Sequence, residues 1–291
     1  MTGPYILHEA LPTLRDPTLV VMLSGWIDAS AAAASALAAI EEECESRPLA
    51  TFDGDTFIDY RARRPTMELR EGVNTRLAFH DIVLKVGRDT NGLDVLTLGG
   101  PEPDSQWRSF GAAMGALGKQ LGVQQMVALG AYPFATPHTR PPRLSSSSPS
   151  EDVVAGLPYL KNSVDVPAGM GALLEHSFWD LGIPALTIWA QVPHYVSSMS
   201  YPAATVALLT GLQEISGIHI DAPDIRQGTI IQRQRLDQLV SANEEHIGMV
   251  HQLEAMYDTS AEESLGLGSA SIPSGDELAA ELERYLREQG S

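Results

Sequence analysis

The chain has 291 residues, 44% of them hydrophobic, and a net charge of −18. That length supports one large domain, or one domain with an appendage. The charge excludes nucleic acid and anionic membranes as natural partners.

Residues 1–11 hold no basic stretch followed by an apolar run, so no secretory leader is expected. An uninterrupted apolar run at 18–23, rich in β-branched residues, predicts a buried strand. It ends in Ser24-Gly25-Trp26-Ile27-Asp28, and an alanine-rich helix is expected over 29–43, with Asp28 as its N-cap. Cys44 is the only cysteine. It excludes an internal disulfide and a cysteine-based zinc site and points to a reducing cytoplasm. Segments 56–60, 66–70 and 76–86 read as extended and predict an antiparallel excursion. A second buried strand is expected at 93–98, then a helix over 105–121. Gly111, Gly115 and Gly118 fall on roughly one face of that helix, which predicts close packing there.

A third strand is expected at 125–129, followed by the loop Gly130-Ala131-Tyr132-Pro133-Phe134-Ala135-Thr136-Pro137-His138-Thr139-Arg140-Pro141-Pro142. Proline presets φ and restricts the residue before it, so Thr136 and Arg140 are biased to extended backbone. The serine run 145–149 reads as a flexible surface loop. A helix over 169–181, a strand at 185–190 ending in Gln191-Val192-Pro193-His194-Tyr195, and a helix over 203–215 complete the alternation. No apolar run reaches the ~20 residues of a membrane helix. Strand and helix in turn predict a largely parallel sheet covered by helices on both faces, an α/β body spanning 1–221.

Residues 222–291 read as a helical appendage. A long helix is expected over 226–257, with Leu236, Leu239, Asn243, Val250, Leu253 and Tyr257 on a heptad-type seam. A Gly/Ser/Pro linker over 265–275 and a second helix over 276–289 follow. Residues 221–291 hold 14 acidic and 5 basic side chains. The apolar stripe needs a partner: the body, the other helix or another subunit.

Open α/β sheets bind ligands at the carboxyl ends of their strands. The strand ends here bring Trp26, Asp28, His138, Thr139, Arg140, His194 and Tyr195 toward one edge. As a set they suit a polar or anionic small molecule, with Arg140 the anion contact. Taken singly, Asp28 reads as a helix cap, Trp26 as packed and His194 as hydrogen-bonded structure. No P-loop, Gly-x-Ser-x-Gly elbow, His-Glu-x-x-His or dinucleotide fingerprint follows any predicted strand, and His138 and His194 lack metal spacing. No cofactor and no metal are expected.

Ser24-Gly25-Trp26-Ile27-Asp28-Ala29, Gly130-Ala131-Tyr132 leading to Thr136-Pro137-His138-Thr139-Arg140-Pro141, and Gly182-Ile183-Pro184 leading to Trp189-Ala190-Gln191-Val192-Pro193-His194-Tyr195 resemble the proteasome assembly chaperone 2 family. The resemblance covers roughly 5–220 and is nearest to actinobacterial members, often described as proteins of unknown function. It implies a three-layer α/β/α sandwich similar to the phosphorylase/hydrolase-like fold, and a homo-oligomer, trimeric by preference. It also implies protein binding without chemistry, with proteasome subunits as partners. The fold it implies keeps the other reading open, an enzyme or small-molecule binder at the strand-end cleft. Some such chaperones end in a hydrophobic–tyrosine–any tripeptide. The final Gln289-Gly290-Ser291 departs from it, which puts docking by that route in doubt.

Overall fold

The apolar run at 18–23 becomes β2 (Thr18–Ser24), whose side chains are buried on both faces. The computed structural model describes residues 3–264. Before β2 comes β1 (Tyr5–Leu7); after it, a 3₁₀ turn at Ala29–Ala31 leads into α1 (Ala32–Glu43). Next are β3 (Arg47–Phe52), the one-turn α2 (Gly54–Phe57), the ribbon β4 (Thr66–Arg70) and β5 (Val73–Ala78), β6 (Val83–Arg88), and β7 (Asp94–Pro101). Then follow α3 (Trp107–Gln120), β8 (Gln125–Phe134), β9 (Leu144–Ser147), α4 (Glu151–Ala155), α5 (Met170–Trp179) and β10 (Ala185–Pro193). The described chain closes with α6 (Pro202–Ser216), α7 (Pro223–Ser241) and α8 (Glu244–Ser264).

The main sheet has eight strands in the order β1-β3-β6-β7-β2-β8-β10-β9. Its centre, β7-β2-β8-β10, is parallel, and its flanks are antiparallel. It is therefore mixed, where the alternation of elements alone predicted a largely parallel sheet. Successive residues of a strand face opposite ways, and here each face meets its own helical layer. Val20, Val127, Leu186 and Ile188 pack with α1, α6 and Leu236 of α7. Leu19, Val21, Met126, Leu96 and Leu98 pack with α3 and α5. The result is a three-layer α/β/α sandwich, and it explains why the central strands are apolar throughout instead of alternating.

Close approach of helices is visible where glycine was expected to permit it. A Cβ on Gly111 would lie 2.4 Å from Leu173, and one on Gly118 would lie 2.6 Å from the Phe178 ring, so α3 and α5 pack nearly backbone to side chain.

Three local expectations are corrected. Residues 54–57 form a helical turn instead of extended chain, with Asp53 accepting a hydrogen bond from the Thr56 hydroxyl. β8 runs five residues beyond the expected end at 129, because Gly130 to Phe134 pair in parallel with Trp189 to Pro193. Gly130 allows this, since a Cβ there would sit 2.3 Å from the Trp189 ring. The serine run at 145–149 holds part of an edge strand, β9, antiparallel to β10. Its hydroxyls have partners that a loop would not need: Ser147 donates to Glu175 at 3.0 Å and Ser148 to the Ala185 carbonyl at 2.7 Å.

Glu175 is a buried carboxyl in that corner and also accepts from the Thr187 hydroxyl. Burial, the largest influence, raises its pKa, and the two hydroxyls oppose the shift only in part. A carboxyl whose folded pKa is raised costs no stability at acid pH, then costs progressively more as pH climbs through its unfolded and folded values. Glu175→Gln is thus expected to raise the melting temperature at pH 7 and to leave it unchanged near pH 4. A thermal melt at the two pH values checks this; an equal change at both would count against it.

The expected long helix over 226–257 is two helices. α7 stops at Ser241, and Asn243 caps α8 by accepting from the Glu245 N–H at 2.8 Å. Asparagine in a heptad-type seam acts here as a start signal for a second helix. The linker and helix expected over 265–289 lie outside the described residues.

Candidate functional site

β2, β7, β8 and β10 end on the same edge of the sheet, so their loops share one rim. The structure brings His138, Thr139, Arg140, His194 and Tyr195 together there and leaves Asp28 and Trp26 apart. Asp28 turns its carboxylate to the start of α1, accepting from the Ala33 and Ala34 N–H groups at 2.9 and 3.0 Å. Burial raises its pKa and those N–H groups oppose the rise. The turn it closes is strained: Ser30 and Ala31 are left-handed at φ 62° and 52°, which costs ~1–2 kcal/mol per residue. Ser197 O and Val196 O hold Ser30 in place through its N–H and hydroxyl. Trp26, 40% exposed, lies on Gly169 ahead of α5, on the other side of the rim.

His138 is the hub of the cluster. Its side chain is 1% exposed. Its backbone N–H donates to the Tyr195 hydroxyl at 2.7 Å, and its Nδ1 lies 2.6 Å from the same oxygen. A hydroxyl that accepts from the amide has its own proton left for Nδ1, which makes Nδ1 the acceptor and places the ring proton on Nε2. Nε2–H then donates to Asp237 of α7 at 3.2 Å. Arg233, one turn earlier, holds Asp237 and donates to the His138 carbonyl at 3.1 Å. His194, itself exposed, packs edge-on to Tyr195 with ring centroids 5.3 Å apart.

The tyrosine–histidine–aspartate line has the order of a proton relay, but its electrostatics run the other way. Burial pushes the Tyr195 hydroxyl up to about 12, so the group is a poorer nucleophile than free tyrosine. Burial also holds His138 below its ordinary value, against the pull of Asp237. The arrangement suits a neutral, fixed hydrogen-bond bridge. Cys44 is likewise inert, buried with its thiol pushed up to about 12, chiefly by that burial.

The next residues of the loop bind α8. Thr139 donates to Glu254. Arg140 forms a two-pronged pair with Asp258, at 2.9 and 2.8 Å, and reaches Glu254 at 3.0 Å. That contact lowers the Asp258 pKa. Arg143 stacks 3.7 Å over the Tyr257 ring and donates to the Tyr257 carbonyl and the Ser260 hydroxyl. Tyr257 in turn donates to the Pro141 carbonyl at 3.0 Å. The stiff proline loop is a tether for α7 and α8, which fold back on each other so that Arg233 and Glu254 meet it from both helices.

Sequence reasoning missed the far half of this cluster: Arg143, Arg233, Asp237, Glu254, Tyr257 and Asp258. One signal was present. Arg233/Asp237 and Glu254/Asp258 are both spaced four apart, placing paired charges on one face of each helix.

Acid should loosen the tether. A histidine whose folded pKa is lowered contributes stability that is complete above its unfolded value, about 6.5, and is lost as pH falls below it. The groups facing His138 are Tyr195, Asp237, Arg233 and Glu254. Amide exchange in 223–260 is expected to be constant above pH 7 and, after correction for intrinsic rate, faster toward pH 5.5. The same loss in His138→Gln would refute the assignment.

An open groove of about 1200 Å³ lies between the loop, the 157–161 segment, α6 and the inner side of α7 and α8. A second cleft of about 740 Å³, by Arg63, Arg64 and His80, sits beside α1 and the ends of β2 and β7. Among the described residues no helix is long and apolar enough to cross a membrane.

A family model described as the PAC2 family matches residues 22–240. The chain is similar to a protein of unknown function from Corynebacterium glutamicum, with 30% identity and a TM-score of 0.82 over 89% of this chain and 98% of that one. A PAC2 family protein from Streptomyces avermitilis is 32% identical, with a TM-score of 0.73 over 81% of this chain and 100% of that one. A proteasome-assembly chaperone homologue from Mycobacterium tuberculosis is 28% identical, with a TM-score of 0.74 over 80% and 99%. No curated protein matches the chain.

Proposed function

The chain belongs to the PAC2 family, and from that membership we propose that it is a protein-binding factor of assembly-chaperone type acting in the cytoplasm. In this reading the α/β body, 1–221, recognises or scaffolds a partner, and the appendage, 222–291, is held on it by the His138–Arg140 loop. Proteasome subunits are the proposed partners, and the working form is a homo-oligomer, with a trimer favoured.

One observation carries the reading. The groups best suited to chemistry at the strand-end rim, His138, Arg140 and Tyr195, are occupied with each other and with α7 and α8. The His138 side chain is 1% exposed and both its ring nitrogens are engaged, which favours a structural role for it. The likeness to the M. tuberculosis chaperone homologue supports the choice of partner.

Native mass spectrometry of the protein, alone and mixed with proteasome α and β subunits of its own organism, tests the proposal. A mixed complex, or faster ring assembly, is the expected result. A protein that ignores both subunits under conditions where known partners assemble would overturn it.

A further inference from the structure

The groove between loop, α6 and helical pair is larger than the ~300–1,000 Å³ of ordinary small-molecule pockets, at about 1200 Å³, and it is partly open to solvent. Its walls are of two kinds. Pro141, Pro142 and Pro158 line it together with Tyr159, Tyr201 and Tyr257. Flat rings and prolines lining a trench are the surface on which extended, proline-containing peptides settle. Tyr159 is fixed by donating to Glu214 at 2.7 Å, so part of the wall is already ordered.

The second feature is charge. In a chain of net charge −18, Arg140, Arg143, Lys161 and Arg233 line this groove, with Glu214 the one carboxylate among its described lining residues. Arg140 and Arg233 are neutralised by Glu254, Asp258 and Asp237. Arg143 forms no ion pair among the described residues: its guanidinium meets a ring, a carbonyl and a hydroxyl, with Asp258 near enough to feel its charge. Lys161 is exposed and has no ion pair among the described residues. Two cations without an ion pair among the described residues therefore flank a proline- and tyrosine-walled trench.

We propose that this groove is a recognition site for an extended, carboxylate-bearing peptide segment of a partner protein, its backbone laid on the proline and tyrosine walls and its carboxylates held by Arg143 and Lys161. The proposal rests on the protein-binding reading and gives that binding a place. Because Arg143 and Tyr257 belong to both groove and tether, an occupied groove also fixes α8 against the body.

Fluorescence anisotropy of the full chain tests it, with a rhodamine-labelled ten-residue peptide of alternating glutamate and proline as probe and its lysine–proline counterpart as control. Saturable binding of the first peptide alone is expected, weakening as salt rises. Lys161→Glu, an exposed change that leaves the fold alone, should weaken binding roughly five-fold. Ala207→Trp, which fills the groove from α6, should abolish it. Equal binding of both peptides, or binding indifferent to both substitutions, overturns the proposal. A small organic anion that co-purifies and blocks the peptide overturns it too, in favour of a small-molecule site. The arms are separable from the partner test. Peptide binding without proteasome subunit binding leaves the groove standing and removes the partner named above; the converse removes the groove alone.

Discussion

Replacing His138 with alanine is expected to release α7 and α8 from the body while leaving the sheet folded. The substitution removes the ring that joins Tyr195 to Asp237: the Tyr195 hydroxyl loses the acceptor for its proton and Asp237 loses the Nε2 donor, while Arg233 keeps both Asp237 and the residue-138 carbonyl. Leaving a buried polar group without its partner costs ~1–3 kcal/mol. Expressed as an equilibrium, that raises the opening constant of the helical pair roughly 5–150-fold. Hydrogen exchange should therefore accelerate by about that factor over 223–260 and stay unchanged in β2, β7 and β8. Leu236, Val250 and Leu253 remain buried contacts, so the helices are loosened and not unfolded. Uniform acceleration across the sheet would show that His138 supports the body itself, and no acceleration would show that the bridge contributes nothing.

A different result is expected from Phe110→Ala, because that ring belongs to the body. Phe110 is fully buried on α3 and packs against Phe52 and Phe57 with ring centroids 4.6 and 5.3 Å away. Removing a buried phenylalanine costs roughly 3–5 kcal/mol, part lost transfer and part unfilled cavity. For a domain of this size that lowers the melting temperature by roughly 6–20 °C. All exchange-protected regions should lose protection together, in contrast to the local loss at His138. A drop of only a degree or two would mean that the cluster collapses into the space.

The two sites also mark what was legible in the chain. The body was, because a strand buried on both faces must be apolar at every position, and 18–23, 93–98 and 185–190 are nearly so. The alanines of α1 and the glycines of α3 announced close approach in the same way. β9 was not legible, since a serine run has the composition of a loop; only the buried Glu175 and the Ala185 carbonyl make its hydroxyls useful. The break at 242–243 was hidden by a seam that looked continuous. At the site, prolines showed that His138, Thr139 and Arg140 are positioned groups. They did not show for what, because the answering carboxylates lie far along the chain and depend on where α8 turns back. Asp28 accepts from the first turn of the alanine helix, but across a 3₁₀ turn, since the helix starts at Ala32 and not at 29. Trp26 went to the opposite side of the rim, which no local pattern encodes.

The tether has a consequence in time. Arg140 and Asp258 are 118 residues apart in sequence, and a ribosome adds ~5–20 residues each second. For roughly 6–24 s of every synthesis, then, the loop exists without its closing helices. In the last part of that interval, once the body to 221 is made, Arg140 still lacks Glu254 and Asp258, and the groove wall that Tyr257 supplies is missing. The newborn body therefore offers, for some seconds, a basic and tyrosine-bordered face that the finished molecule has closed. Anything that captures that face early competes with the chain's own last helices for the same arginine.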